Sequence, residues 1–380
     1  MNRKITITFF SNFLLHHQTP FCEAMVKRIG DGFRFVATEP VPKERLEMGY
    51  SNLESELYCV NAYKDDASYQ EAMRLGKESD VVIIGSAPDT FIEKRLEENK
   101  LTFRYSERYF KKNRWRFDPR AWRMHYRKDI RYRKKNLHML CASAYTAPDC
   151  RFIFSYPNKT YRWGYFPVVA QNSYDSLSTI KNSKTVRIIW VSRFIPLKHP
   201  EEVIRLAKDL KKDKIDFQIQ MLGIGELREK YEDIVRKEGL ETYITFLGPC
   251  SPSEVLEYMK QSDIFLFTSD KNEGWGAVMN EAMSCACAIV ACREIGSVPF
   301  LVSHGKNGMI YDKKGSNSLY HNVKALIEDK ALRIRLQKNA FDTIENVWNA
   351  ENATDRLLEL IDCIQRGDEI PYTDGPCSRC

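Results

Sequence analysis

Residues 186–210 read VRIIWVSRFIPLKHPEEVIRLAKDL, and the order of patterns in this stretch decides the fold. Val186–Val191 is an apolar run of strand length, rich in β-branched residues. Pro200 suits the first turn of a helix, and Val203, Ile204, Ala207 and Leu210 then recur along one helical face. Two cations, Arg193 and Lys198, occupy the loop between them. A strand, a short loop and an amphipathic helix form the repeating unit of an α/β protein with parallel sheets.

The same alternation extends in both directions. Upstream, strands are expected at Ile5–Phe10, Phe33–Ala37, Leu57–Val60, Val81–Gly85, Leu101–Tyr105, His138–Ala142 and Arg151–Phe154, with helices such as Ala67–Lys77 and Phe91–Asn99 between them. Downstream they are expected at Phe217–Leu222, Ile244–Leu247, Ile264–Thr268 and Ala288–Ala291. The chain has 380 residues, more than one core usually organises, so two domains are expected. The polar, Ser- and Asn-rich stretch 171–184 reads as the linker between a domain over 1–170 and one over 185–350. The helical pattern over 351–366 is long enough to return to the first domain, leaving 367–380 as a tail.

Hydrophobic residues make up 43% and charged residues 29% of the chain, which excludes a disordered or fibrous protein. The net charge of +7 is unevenly placed. Residues 104–136 hold 14 Lys/Arg against three acids, and the rest of the chain is slightly acidic. Eight aromatics interleave with these cations. Such a segment fits a solvated helical face, a nucleic-acid surface, or an anionic membrane surface, and the last is favoured here.

Eleven cysteines, an odd number scattered through apolar runs (Cys141, Cys285, Cys287, Cys292), read as reduced core thiols. Cys377-Ser378-Arg379-Cys380 has metal-ligand spacing but lacks a second pair, so it reads as an inert tail. Polar residues interrupt the apolar start, which reads as a buried strand rather than a signal peptide. No run approaches the ~20 apolar residues that span a bilayer. A cytoplasmic protein is expected, peripheral on the inner face of the membrane.

The chemistry is expected at Glu273-Gly274-Trp275-Gly276-Ala277-Val278-Met279-Asn280-Glu281, which follows a strand and opens a helix. Two glycines permit close backbone approach, and two carboxylates eight residues apart can accept from paired hydroxyls. The bland alternative is a solvated helix start with acids at its dipole-favoured end. Arg193 and Lys198 together suit a pyrophosphate, which carries off negative charge when its bond breaks. Both elements lie at C-terminal strand ends, the ligand edge of open α/β sheets.

On these residues the second half resembles the nucleotide-sugar domain of family-4 glycosyltransferases, retaining enzymes of the GT-B fold. The resemblance rests on Arg193 with Lys198, the Gly223-Ile224-Gly225 loop, Ile244–Gly248, Ser262–Leu266, the Glu273/Glu281 pair, Ile295–Pro299 and Asn307-Gly308. It implies two Rossmann-like α/β domains facing a cleft, the first for acceptor and the second for donor, with the C-terminal helix packed back on the first. It implies that Glu273 contacts sugar hydroxyls, Glu281 the ribose, and Arg193 and Lys198 the leaving pyrophosphate. Gly223, Gly274, Trp275 and Gly276 then line the donor, and Pro249 and Cys250 lie beside the base.

The first half departs from the family pattern. Leu15–Pro20 replaces a Gly-Gly loop, and Tyr105-Ser106-Glu107-Arg108 stands where relatives carry a histidine. His16, His17, Glu107 and Arg108 are the acceptor-side candidates. With no Asp-x-Asp in the chain, no metal and no cofactor are expected; Arg193, Lys198 and a helix N-terminus would take the metal's place. The expected partners are a UDP- or GDP-sugar, a glycan or lipid-linked acceptor and an anionic membrane surface, in the assembly of a capsule or lipopolysaccharide. A GT-B nucleotide-sugar epimerase and a nucleic-acid-binding protein are the alternatives.

Overall fold

The apolar runs assemble into two all-parallel sheets. A computed structural model of the chain describes residues 4–43, 53, 55–111, 113–168, 172–181, 183–313 and 318–380. They divide into two compact units, Met1–Pro167 with Ala350–Cys380, and Val168–Asn349.

The first unit holds β1 (Ile7–Ser11), β2 (Phe33–Ala37), β3 (Cys59–Asn61), β4 (Val81–Ile84), β5 (Thr102–Ser106), β6 (Leu137–Cys141) and β7 (Thr160–Arg162) in the order β3-β2-β1-β4-β5-β6-β7. The second holds β8 (Val186–Val191), β9 (Phe217–Leu222), β10 (Ile244–Gly248), β11 (Ile264–Phe267), β12 (Ala288–Cys292) and β13 (Met309–Tyr311) in the order β10-β9-β8-β11-β12-β13. The central strands β1, β4 and β11 are buried throughout. Helices cover both faces of such sheets, which is why these strands read as continuous apolar runs rather than alternating ones.

Three stretches differ from expectation because of contacts distant along the chain. Arg151–Phe154 is not a strand. Helix Thr146–Phe152 runs through it, and Asp149 on that helix accepts the backbone N–H groups of Tyr109 and Phe110. The edge strand is β7, on the far side of β6 from β5. The stretch expected as linker contains helix Tyr174–Ile180, capped by Ser173 and anchored by fully buried Leu177 against Ala286 and Phe341. Leu177 and the partly buried Tyr174 ring hold it to Phe341, too few contacts to show as periodicity.

The tail is not loose either. Arg162 donates its N–H to the Ser378 carbonyl at 2.8 Å, Cys377 donates to the Arg162 carbonyl at 2.8 Å, and Cys380 to that of Thr160 at 3.1 Å. The tail thereby covers the open edge of β7 in the antiparallel sense. Cys377 is fully buried and all eleven cysteines are free thiols. Helix Ala350–Arg366 belongs to the first unit and packs on helix Thr19–Ile29, where Arg28 grips Asp355 through two hydrogen bonds of 2.6 and 2.9 Å.

Arg95 ties down the end of the first sheet opposite the ligand edge. Fully buried, it donates to the carbonyls of Gly76, Ser79, Asp80 and Leu101 and to Thr102 Oγ1. Burial lowers its pKa to about 10. Arg95→Leu strands these acceptors, and the free energy of unfolding should fall by about 3 kcal/mol, read as a lower urea midpoint.

Candidate active site

In the second sheet the strand order reverses between β8 and β11, where an open parallel sheet leaves a crevice beyond its C-terminal edge. Lys198 ends the turn that follows β8, and Glu273 lies in the loop that follows β11. Their side chains form an ion pair, with Lys198 only 12% and Glu273 15% exposed. Two residues 75 positions apart in sequence thus meet.

Residues not singled out from the sequence hold this pair in place. Asp270 donates its N–H to the Leu197 carbonyl at 3.1 Å. Thr268 donates its hydroxyl to the Lys198 carbonyl at 2.6 Å while accepting from the Trp190 indole at 2.9 Å. His199 sits in the left-handed region (φ 49°), with Nδ1 2.7 Å from Glu201 and Nε2 3.1 Å from Asp270. The hydrogen bonds with Glu201 and then Asp270 raise the pKa of His199. Burial pushes Asp270 up, but the Asn272 N–H and His199 outweigh it and hold its pKa low. The available signal was position: Thr268 and Asp270 stand immediately beyond a strand end.

Arg193 is exposed on the same loop as Lys198, with no ionic partner among the described residues. Glu281 lies on helix Val278–Ser284, and its carboxyl also has no partner among them. Burial pushes that carboxyl up to about 7. Gly223 packs on the backbone of the Arg193 loop. At φ 132° a Cβ there would stand 2.0 Å from the Ser192 carbonyl oxygen, so this glycine positions the loop. Gly276, at φ 77°, leaves room for the Phe267 ring.

Gly274 is buried beside Trp275, whose indole is fully buried and donates to Asn280 Oδ1 at 2.9 Å. The Trp275 side chain, expected to line the donor, is part of the core, and its carbonyl accepts from the Ser297 hydroxyl. Pro249 and Cys250 follow β10 as exposed and half-buried residues.

The first unit has its own concavity at the equivalent place, beyond β1, β4 and β5, with a volume of about 410 Å³. His17, Glu107 and Arg108 line it, joined by Asn12, Ser86 and Tyr165. His16 does not line it; its ring stands edge-on to that of His17 at 5.3 Å. Glu107 and Arg108 are not paired with each other. Glu107 accepts from Lys111 at 2.7 Å and from the Tyr165 hydroxyl at 3.3 Å. Arg108 lies over the Tyr145 ring at 5.0 Å, with its Nε 3.9 Å from Asp149.

The basic segment divides into an interior and a surface. Arg104 is buried, bonded to Asp89, Tyr156 and the Lys128 carbonyl. Phe110 and Tyr132 are core residues, and His125 is buried 3.0 Å from Asp129. Helix Pro119–Lys128 turns Arg120, Arg123, Met124, Tyr126 and Arg127 outward, next to Phe117, which is 83% exposed. The interleaved aromatics are therefore divided between core and surface. Lys112 lies outside the described residues.

The family model of the glycosyl transferases group 1 matches residues 176–343. An uncharacterized glycosyltransferase of Methanocaldococcus jannaschii is 33% identical over 151 residues, 40% of this chain and 41% of that protein. A D-inositol 3-phosphate glycosyltransferase of Corynebacterium kroppenstedtii is 26% identical over 190 residues, 48% and 42% of the two chains. The N-acetylgalactosamine-N,N'-diacetylbacillosaminyl-diphospho-undecaprenol 4-alpha-N-acetylgalactosaminyltransferase of Campylobacter jejuni is 25% identical over 148 residues, 39% and 40%. The chain spans about two fifths of the length of these curated relatives. Among solved structures, Anabaena HepE in complex with UDP and glucose superposes with a TM-score of 0.67 over 94% of this chain and 99% of that one, at 14% identity. Shared sequence in the second unit and shared fold over nearly the whole length lead to one statement: residues 176–343 match the family model of the glycosyl transferases group 1, on a chain with the α/β fold of the GT-B glycosyltransferases.

Proposed function

We propose that this chain transfers a sugar from a nucleoside diphosphate donor to a glycan or lipid-linked acceptor, with retention of configuration and without a metal ion. The observation that carries the reading is the shielded Lys198–Glu273 pair at the reversal of the second sheet. A bound donor gives each member a stronger partner. Its diphosphate takes Lys198 together with exposed Arg193, and its sugar hydroxyls take Glu273. The bond from the anomeric carbon to the phosphate oxygen breaks, and its electron pair leaves on the diphosphate, where the two cations offset the charge. Positive charge develops on the sugar as in glycosidases. The acceptor hydroxyl oxygen forms the new bond to the anomeric carbon, and its proton passes to the departing diphosphate.

Glu281, without a partner among the described residues and partly buried, suits the two hydroxyls of a ribose. HepE was crystallised with UDP and glucose, which supports a nucleoside diphosphate at this edge. The relatives' names attach to different acceptors, an inositol phosphate and a lipid diphosphate, so the comparison leaves the acceptor to this chain's own residues. The acceptor is assigned to the first-unit cavity, in a setting such as capsule or lipopolysaccharide assembly. The outward face of helix Pro119–Lys128 supports a visit to an anionic membrane, since arginines there flank Met124, Tyr126 and Phe117. Among the described residues no helix is long and apolar enough to cross a membrane.

In excess EDTA the wild type should keep its activity, and the double variant Arg193→Ala, Lys198→Ala should lose about 10²–10³-fold in kcat with a smaller change in donor affinity. Equal losses in kcat and affinity, or activity restored only by manganese, would contradict the assignment.

A second test uses the carboxyl near pH 7. Two ribose hydroxyls favour the charged form of Glu281, so donor binding should lower its pKa and release a proton. Affinity for UDP should therefore rise as pH goes from about 5.5 to about 8, with proton release seen by calorimetry in buffers of different ionisation enthalpy. Glu281→Gln should remove both effects.

For the surface helix, Arg123→Glu with Arg127→Glu should release the protein from phosphatidylglycerol vesicles, and Phe117→Ala should weaken binding further. Binding to single-stranded nucleic acid but not to vesicles would reverse the choice between the two surfaces.

A further inference from the structure

Arg95, Arg104 and Arg108 of the first unit are almost entirely buried, and the first two are well supplied with acceptors. Arg95 has five hydrogen-bond acceptors, and Arg104 has Asp89, Tyr156 and the Lys128 carbonyl. Arg108, with a side chain only 9% exposed, lies over the Tyr145 ring, and its buried Nε has no hydrogen-bond partner among the described residues. Its nearest carboxylate, Asp149, stands 3.9 Å away and is already committed. One oxygen of Asp149 accepts the N–H groups of Tyr109 and Phe110, and the other faces Arg116 at 3.5 Å. A single negative charge thus serves two cations. Leaving a guanidinium shielded and unbonded is costly unless something else bonds to it.

Arg108 lines the cavity beyond β1, β4 and β5, so its missing partner has a place. The remaining charged carboxylate and ammonium there, Glu107 and Lys111, neutralise each other. The cavity therefore carries an excess positive charge at Arg108, beside the hydrogen-bonding side chains of Asn12, Ser86 and Tyr165. We infer that the acceptor is an anionic sugar, one whose phosphate or carboxylate is held by the Arg108 fork while its hydroxyls meet these polar groups. This rests on reading the cavity as the acceptor side, and it adds the class of acceptor.

Calorimetry on the full chain tests it with glucose 6-phosphate, glucuronate, glucose, farnesyl phosphate and inorganic phosphate. Glucose 6-phosphate or glucuronate should bind at least tenfold more tightly than glucose. Arg108→Lys, which keeps the charge but loses the fork, should erase most of that preference, and Arg108→Ala all of it. Farnesyl phosphate binding above both would place the anion on a lipid instead of the sugar and overturn the inference. So would inorganic phosphate matching the sugar phosphate, or a preference that survives in both variants. UDP binding measured on the same samples reports the second unit. Its retention in the variants shows the second unit intact, an unchanged circular dichroism melt shows the first unit folded, and absence of UDP binding from the wild type would fail the donor reading separately from the anion preference at Arg108.

Discussion

An ammonium and a carboxylate, both largely withdrawn from water, face each other where the second sheet reverses direction. Shielding each ion costs several kcal/mol, which their attraction offsets only if the geometry is held. The surroundings do hold it. Thr268 and Asp270 fasten the backbone on either side of Lys198, and His199 accepts a left-handed conformation to link Asp270 with Glu201. Gly223 and Gly276 yield the space that the loop and the Phe267 ring need. The packing around this edge is arranged so that two long side chains lose little further freedom when they meet a ligand.

Parallel sheets covered on both faces explain why so much chemistry gathers at one edge of each unit. Strand interiors such as β1, β4 and β11 admit almost no polar side chain, so hydrogen-bonding groups collect in the loops that leave them. The first unit puts Asn12, Ser86, Glu107 and Arg108 there, and the second puts Arg193, Lys198 and Glu273. At the opposite end of the first sheet, Arg95 spends its donors on backbone carbonyls and serves stability alone.

The sequence displayed most of this frame because buried parallel strands are legible as apolar runs; β8 and β9 fall on the residues expected for them. What it concealed depended on contacts distant along the chain. Arg151–Phe154 has the residues of a strand, yet Asp149 commits the segment to a helix by reaching the Tyr109 and Phe110 amides. Helix Tyr174–Ile180 shows no periodicity because only Leu177 and Tyr174 anchor it. At the site, the motif indicated Glu273 and Lys198 without indicating that they meet. It also presented Trp275 as a ligand contact when the indole is a core group. Lys111 and Tyr165 were hidden for the same reason: their importance lies in Glu107, 4 and 58 residues away.

The basic segment carries this further. A run of cations reads as a surface only while its partners are unknown, and several of its partners lie outside the run. Asp89 and Asp149 come from other stretches to meet Arg104, Arg108 and Arg116. Part of the excess charge is thereby spent inside the unit, and the charge left on helix Pro119–Lys128 is smaller but concentrated on one outward face. That division separates two kinds of recognition. Exposed arginines act at a distance and are screened by salt within about 8–10 Å. A shielded guanidinium acts only on what enters its cavity, with little competition from water. The same local composition therefore divides into charge exposed on one helix face and charge held inside a cavity.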